Sequence, residues 1–265
     1  MARVTSRKFI IGTMGALGAG IASAWAGRQP LLRWAMTRKA HPDLQLTAAP
    51  GDGQQPCVLT SSQPEGPFYF PSPERRNIVE DRPGLPFTLR IQVVRARGCS
   101  PLEGAVVEVW HTDAGGVYSG YPEEIAHDLW KSLVFVGPRA VRKGGEFHVG
   151  PVEKTRFLRG LQRTGSDGWV EFRTIFPGWY EGRTPHIHFK VAAGPHEQLT
   201  SQFYFEQATC DRVYTTVAPY TQYGPCPYTT DTDTVIQSAA HGLLLKPSWS
   251  GGSMEATARI GIQQA

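Results

Sequence analysis

Cysteine is sparse in this chain, four in 265 residues, and no two stand as Cys-x-x-Cys. That spacing marks many structural zinc sites; its absence, with the wide intervals between Cys57, Cys99, Cys210 and Cys226, favours disulfides over metal for these residues. Beyond residue 26 no run is apolar over a length that spans a bilayer. Past the first few residues there is no Lys/Arg cluster, and nothing recurs at a period of 20 to 50 residues, which excludes propellers and solenoids. Also missing are a Gly-rich phosphate loop, a His-Glu-x-x-His helix and a Gly-x-Ser-x-Gly elbow. Gly12, Gly15, Gly18 and Gly20 lie in an N-terminal leader and are not a nucleotide loop.

What is present is a chain 40% hydrophobic and 19% charged, enough apolar material for a substantial core. Its 29 Gly and 21 Pro follow no period and point to many turns joining short strands. The formal charge of +4 owes three of its positive groups to Arg3, Arg7 and Lys8; without residues 1–26, 24 basic residues face 23 acidic ones. A nearly neutral domain gives no electrostatic case for a nucleic-acid partner or an anionic membrane.

Ser6-Arg7-Lys8-Phe9-Ile10-Ile11 and the Gly/Ala-rich stretch to Ala26 follow the basic, apolar, small-residue order of an export signal, with small-x-small cleavage sites at Ala22-Ser23-Ala24 and Ala24-Trp25-Ala26. The start is similar to a twin-arginine signal with Lys in place of the second Arg. Residues 1–26 are therefore expected to be an export signal and the protein periplasmic or extracellular, with an uncleaved anchor as the alternative. After cleavage no stable membrane span remains. Residues 27–55 read as a flexible tail or linker and 56–265 as one folded domain. In an oxidising compartment two disulfides are expected, local order favouring Cys57 with Cys99 and Cys210 with Cys226.

Clean alternation in Phe87–Val93 predicts a strand with one buried face. Ala105–Trp110, Trp169–Ile175, His186–Val191, Ser201–Phe205 and Ala256–Ile262 supply further strands, while Glu123–Val134 and Thr232–Leu245 leave room for short helices. The expected fold is all-β, an antiparallel β-sandwich with long loops.

Chemistry concentrates between Phe176 and Lys190. His186 and His188, two apart in a strand whose other face is Ile187, Phe189 and Val191, point to one side, the geometry for two ligands on one metal. Two polar residues on a solvent face would give the same pattern. The upstream Pro177-Gly178-Trp179-Tyr180 turn shifts the weight, because it brings Tyr180 back over that face, and a phenolate oxygen suits a hard, highly charged cation.

These motifs resemble the intradiol ring-cleavage dioxygenases. The matching residues are Val109-Trp110-His111-Thr112-Asp113 followed by Tyr118, then the Pro177-Gly178-Trp179-Tyr180 turn, then Arg183-Thr184-Pro185-His186-Ile187-His188, with Gln202 fourteen residues later; Glu65-Gly66-Pro67-Phe68-Tyr69 also fits. The likeness runs from about Cys57 to Phe205. It implies a mononuclear non-haem Fe(III) held by Tyr118, Tyr180, His186 and His188. It implies a catechol-type substrate cleaved with O2 to a cis,cis-muconate-type dicarboxylate, with Tyr180, Arg183 and Gln202 as catalytic residues. Tyr118 and Tyr180 stand 62 residues apart, so 121–160 reads as an insertion. A helical dimerisation region is replaced by the leader, as in an exported branch of the family; oligomeric state stays open, a homodimer among the options. Two other readings stand beside it: an exported binding module on the same scaffold without turnover, and a hydrolase or oxidase using another metal at the same side chains. Among the remaining residues, Asp113 is expected to form a turn and His127, His148, His196 and His241 to lie on the surface, while Trp179 either walls the pocket or is buried at the sandwich edge.

Overall fold

The computed structural model describes residues 59–143, 146–194, 197–233, 235–236 and 244–263, without the side chains of 197 and 198. The expected signal and linker, Cys57, His196 and His241 lie outside the described residues.

Alternation decides most of the strands. In β1 (Pro86–Arg95) Phe87, Leu89, Ile91 and Val93 are buried while Pro86 and Arg90 are exposed. β1 lies between β11 (Ser253–Ile262) and β6 (Trp169–Ile175), and β10 (Ser248–Ser250) extends the sheet beyond β11. The second sheet has the order β5 (Arg159–Arg163), β2 (Val106–Trp110), β7 (His186–Ala192), β8 (Glu197–Phe205) and β9 (Leu244–Leu245). A separate hairpin joins β3 (Val141–Lys143) to β4 (Glu146–His148).

The all-β expectation holds, but not a wholly antiparallel one. β1 pairs parallel with β11, Phe87 opposite Met254, and β8 pairs parallel with β9. Parallel neighbours need a long crossover, and here the C-terminal strand returns beside a strand from the start of the domain. Glu123–Val134 holds short helices as expected, and residues 234 and 237–243 of the Thr232–Leu245 stretch lie outside the described residues. Glu123–Val134 divides into a 3₁₀ turn at Glu123–Ile125 and helix α1 (Leu129–Val136), whose N-cap Asp128 accepts from the Lys131 N–H at 3.0 Å. In the Thr232–Leu245 stretch, Leu244 and Leu245 form strand β9. A helix that alternation did not announce, α2 (Gln207–Thr216), buries Cys210, Val213 and Tyr214 along one stripe.

One apolar core fills the space between the sheets, Leu89, Ile91, Phe172 and Met254 from one meeting Val107, Ile187, Phe189 and Phe203 from the other. Burying each of the larger side chains is worth about 1.5–3 kcal/mol, so these residues fix which way β2, β7 and β8 face. Their alternate residues are thereby turned to the outer face, and that face carries the polar side chains considered next.

The expected Cys210–Cys226 bridge is not formed. Both are free thiols: Cys210 is buried in α2, and the Cys226 thiol donates to the Tyr228 carbonyl at 3.1 Å. Cys99 is disulfide-bonded.

Candidate metal centre and active site

Strand register builds the site in one row. Across the outer face of the second sheet, Arg159 stands opposite Trp110, Trp110 opposite His188, and His188 opposite Gln202; one step along, His186 stands opposite Tyr204. The Trp110 indole lies parallel to the His188 ring, 4.8 Å between centroids and 9° between planes.

Two loops bring the tyrosines over this row. After β2 the chain turns at Asp113, whose side-chain oxygen accepts from the N–H groups of Gly115 and Val117 at 2.9 and 3.0 Å. Asp113 is thus the turn former expected. Gly116 occupies the left-handed region (φ +79°), and a Cβ there would lie 2.1 Å from the Trp179 carbonyl oxygen. The second loop is pressed against the first: Gly178 N–H donates to Asp113 O at 2.9 Å, Thr112 Oγ1 donates to Gly178 O at 2.7 Å, and a Cβ on Gly178 would meet Asp113 O at 2.3 Å. Locked together, the loops set the Tyr118 and Tyr180 rings edge to face, 5.6 Å apart.

Four donor atoms converge. Tyr118 Oη lies 3.2 Å from His186 Nε2 and 3.0 Å from His188 Nε2; those nitrogens are 3.1 Å apart, and Tyr180 Oη is 3.5 Å from His186 Nε2. His186 Nδ1 sits 2.7 Å from the Thr184 carbonyl, to which it can only donate, leaving Nε2 as a bare lone pair. His188 Nδ1 has no hydrogen-bond partner among the described residues. Burial pushes both phenols above their ordinary pKa and both imidazoles well below theirs, Arg183 reinforcing the latter, so without a cation the set is neutral. Lone pairs aimed at one enclosed point suit a metal, and two phenols with two imidazoles form a hard N/O set. Among the described residues no three His, Cys, Asp or Glu side chains gather to hold a metal, so the tyrosines are needed to complete any ligand set.

Beside these donors lies Arg183. Its Nε donates to Asp233 Oδ2 at 2.8 Å, and its Nη2 to Gln202 Oε1 at 2.5 Å and toward Tyr204 Oη at 3.4 Å, while Nη1 reaches Tyr180 Oη at 3.5 Å. Burial works against the charge, but Asp233, with Tyr180 and Tyr204, outweighs it and holds Arg183 firmly protonated. Gln202 is anchored through Nε2, which donates to Pro64 O at 2.8 Å. Every residue proposed for the site from sequence is therefore brought to one place.

Several neighbours escaped the sequence. Asp233 is fully buried and arrives from 50 residues downstream with no motif around it. Tyr204 carried a usable signal, being two residues from Gln202 on the same strand face. His111 is fully buried, with Nδ1 2.7 Å from Thr112 O and Nε2 2.6 Å from Thr174 Oγ1; burial lowers its pKa to about 4. His127 and His148 lie away from the donors, His127 Nε2 binding Gly115 O at 2.7 Å. Trp179 is half-buried, its ring against His127 and its backbone N–H donating to Tyr214 Oη at 2.8 Å.

A family model described as Dioxygenase matches residues 65–222, a span that holds all four converging donors with Arg183 and Gln202. An intradiol ring-cleavage dioxygenase from Tetranychus urticae superposes with a TM-score of 0.67 at 30% identity, covering 78% of this chain and 95% of that one. The chain belongs to the intradiol ring-cleavage dioxygenase family. The dioxygenase domain of a dioxygenase carbohydrate-binding protein fusion from Streptomyces sp. SirexAA-E superposes at a TM-score of 0.52 and 29% identity over 78% of this chain and 99% of that one. A chlorocatechol 1,2-dioxygenase from Cupriavidus pinatubonensis is 30% identical over 179 residues, 58% of this chain and 56% of that protein. The chain thus spans about half the length of the curated relatives it matches. As a family, these proteins work with non-haem Fe(III).

Proposed function

We propose that this protein cleaves a catechol-type ring between its two hydroxylated carbons, with O2 and a mononuclear non-haem Fe(III), to give a cis,cis-muconate-type dicarboxylate. The observation that carries the reading is the convergence of Tyr118, Tyr180, His186 and His188 on one buried point. Those four side chains would hold the iron. Bound there, Fe(III) supplies Lewis acidity that draws protons from the catechol hydroxyls and activates the ring toward O2.

The chain's own groups divide the remaining work. Tyr118 is buried and packs against Phe68 at 5.4 Å, which suits a permanent ligand, whereas Tyr180 is half-buried and farther from the imidazoles. Tyr180 Oη, as a phenolate, would be the group that accepts a catechol proton, and Arg183 Nη1, 3.5 Å away, is placed to donate to it while it carries charge. Arg183 and Gln202 face the same space, positioned to receive negative charge developing on the ring; because Asp233 balances part of the Arg183 charge, the guanidinium acts mainly through directed N–H groups. Trp110 and the Gly66 backbone wall His188.

We also propose export of the protein by its N-terminal segment. The Cys99 disulfide supports an oxidising destination, and no helix among the described residues is long and apolar enough to cross a membrane.

Iron-loaded protein is expected to show the wine-red absorption of tyrosinate bound to Fe(III) and to consume O2 with at least one of catechol, protocatechuate and hydroxyquinol. Protein that stays colourless and iron-free after loading would refute the assignment.

A further inference from the structure

The sheet row that carries His188 and Gln202 begins with a residue the chemistry above leaves unused. Arg159 is wholly buried. Its Nε donates to Ser119 Oγ at 2.8 Å, and its Nη2 to Phe68 O at 2.9 Å and Ser119 O at 3.2 Å. The guanidinium lies 3.8 Å over the Phe70 ring and 5.9 Å from the Tyr118 ring centroid, and Nη1 has no hydrogen-bond partner among the described residues. Glu108, the carboxylate whose field reaches it, is engaged elsewhere, accepting from Ser72 N at 2.7 Å and Tyr69 Oη at 3.1 Å.

An enclosed guanidinium with a free N–H is costly unless opposite charge lies close. Every protein contact it makes through Nε and Nη2 fixes either the residue next to Tyr118 or the Phe68 backbone, and Phe68 packs on Tyr118 at 5.4 Å. A Tyr118 phenolate, its ring centroid 5.9 Å from the guanidinium, would add to the Glu108 field a second negative charge on the side the clamp holds.

We propose that Arg159 is a positioning residue for the Tyr118 phenolate: it clamps the Tyr118–Ser119 backbone against the Phe68 segment and places a permanent positive charge behind the ring. This inference rests on the iron reading above and goes beyond it, because it assigns the tuning of one ligand to a residue outside the donor set. A positive charge near a phenolate lowers the energy of the orbital that donates to the metal. Removing that charge narrows the gap to the metal orbitals.

The test compares iron-loaded wild type with Arg159→Gln and Arg159→Lys by visible absorption and by iron retained against a chelator. In Arg159→Gln the tyrosinate-to-iron band is expected to move to longer wavelength and iron affinity to fall about 10- to 100-fold, the usual cost of losing a partner of a metal ligand. In Arg159→Lys, which keeps the charge without the fork, the band stays near its wild-type position while retention weakens. Both variants with an unshifted band and only a lower melting temperature would reduce Arg159 to a structural residue and overturn the proposal. A wild type without the band overturns the iron reading itself, which separates the two failures. Should Arg159→Gln not fold, Ser119→Ala decides: losing the side-chain partner of Nε is expected to weaken iron retention with the band unshifted, and wild-type retention counts against the clamp.

Discussion

Asp233 illustrates how one buried carboxylate organises the site. Besides Arg183 Nε, it accepts from the backbone N–H groups of Thr184 at 3.2 Å and Val235 at 3.0 Å, so it ties the segment preceding β7 to the C-terminal stretch. Breaking a buried charge pair by neutralising one partner costs about 3–5 kcal/mol. Asp233→Asn should lower unfolding free energy in urea by roughly that amount and cut ring-cleavage kcat/KM at least tenfold, since Arg183 loses its anchor; an Asn variant as active as wild type would show that Gln202 alone positions the guanidinium. His111 gives a pH signature. Its folded pKa of about 4 lies below the ordinary 6.5, so between those values the unfolded chain binds the extra proton. The stabilisation is complete above pH 6.5 and is lost as pH falls toward 4. In metal-free protein, wild type should lose more stability than His111→Asn on going from pH 6 to pH 5, by about 1 kcal/mol; parallel urea curves at both pH values would contradict the buried neutral imidazole.

At the scale of elements, the site depends on two loops meeting without side chains between them. Gly178→Ala would push a methyl group into the Asp113 carbonyl and part the Tyr118 loop from the Tyr180 loop. The expected result is a folded protein that retains little iron by metal analysis, while Gly182→Ala, with nothing near its Cβ position though its φ is +86°, should cost stability more than iron. The sequence made part of this legible. Alternation located β1, β2, β6, β7, β8 and β11, because each has one apolar face against the core. Spacing placed His186 and His188 on one side, and the turn residues announced both tyrosine loops. β5 escaped because Arg159-Gly160-Leu161-Gln162-Arg163 shows no clean apolar alternation: its first residue is a buried arginine. α2 escaped because its Thr-rich sequence lacks strong helical preference and is held by packing of Cys210, Val213 and Tyr214. Arg159 and Asp233 share a deeper reason, since hydrogen-bond partners 40 and 50 residues away leave no local pattern.

Across the whole molecule, the two faces of the second sheet have separate duties: one belongs to the core and the other to chemistry. The segment between the two tyrosine loops, through Ile125, Phe135, Val136 and Ala140, packs on the cluster that contains Tyr118 and Tyr180. It exposes Trp130, Val134, Val141 and Phe147 to solvent. Donors therefore stand on strands and tight turns, while this segment covers them with one apolar side and turns the other to solvent.

The parallel stacking of Trp110 on His188 carries this arrangement into a property of the entire protein, its intrinsic light emission. An indole in face contact with one side of an imidazole is within quenching distance of any open-shell ion bound to that imidazole. Trp110→Phe subtracts its share of the emission, and that share is what iron loading should darken and chelation restore. With iron in the proposed site, the tryptophan that backs the histidine would serve as an occupancy gauge, readable at the bench without substrate, oxygen or turnover.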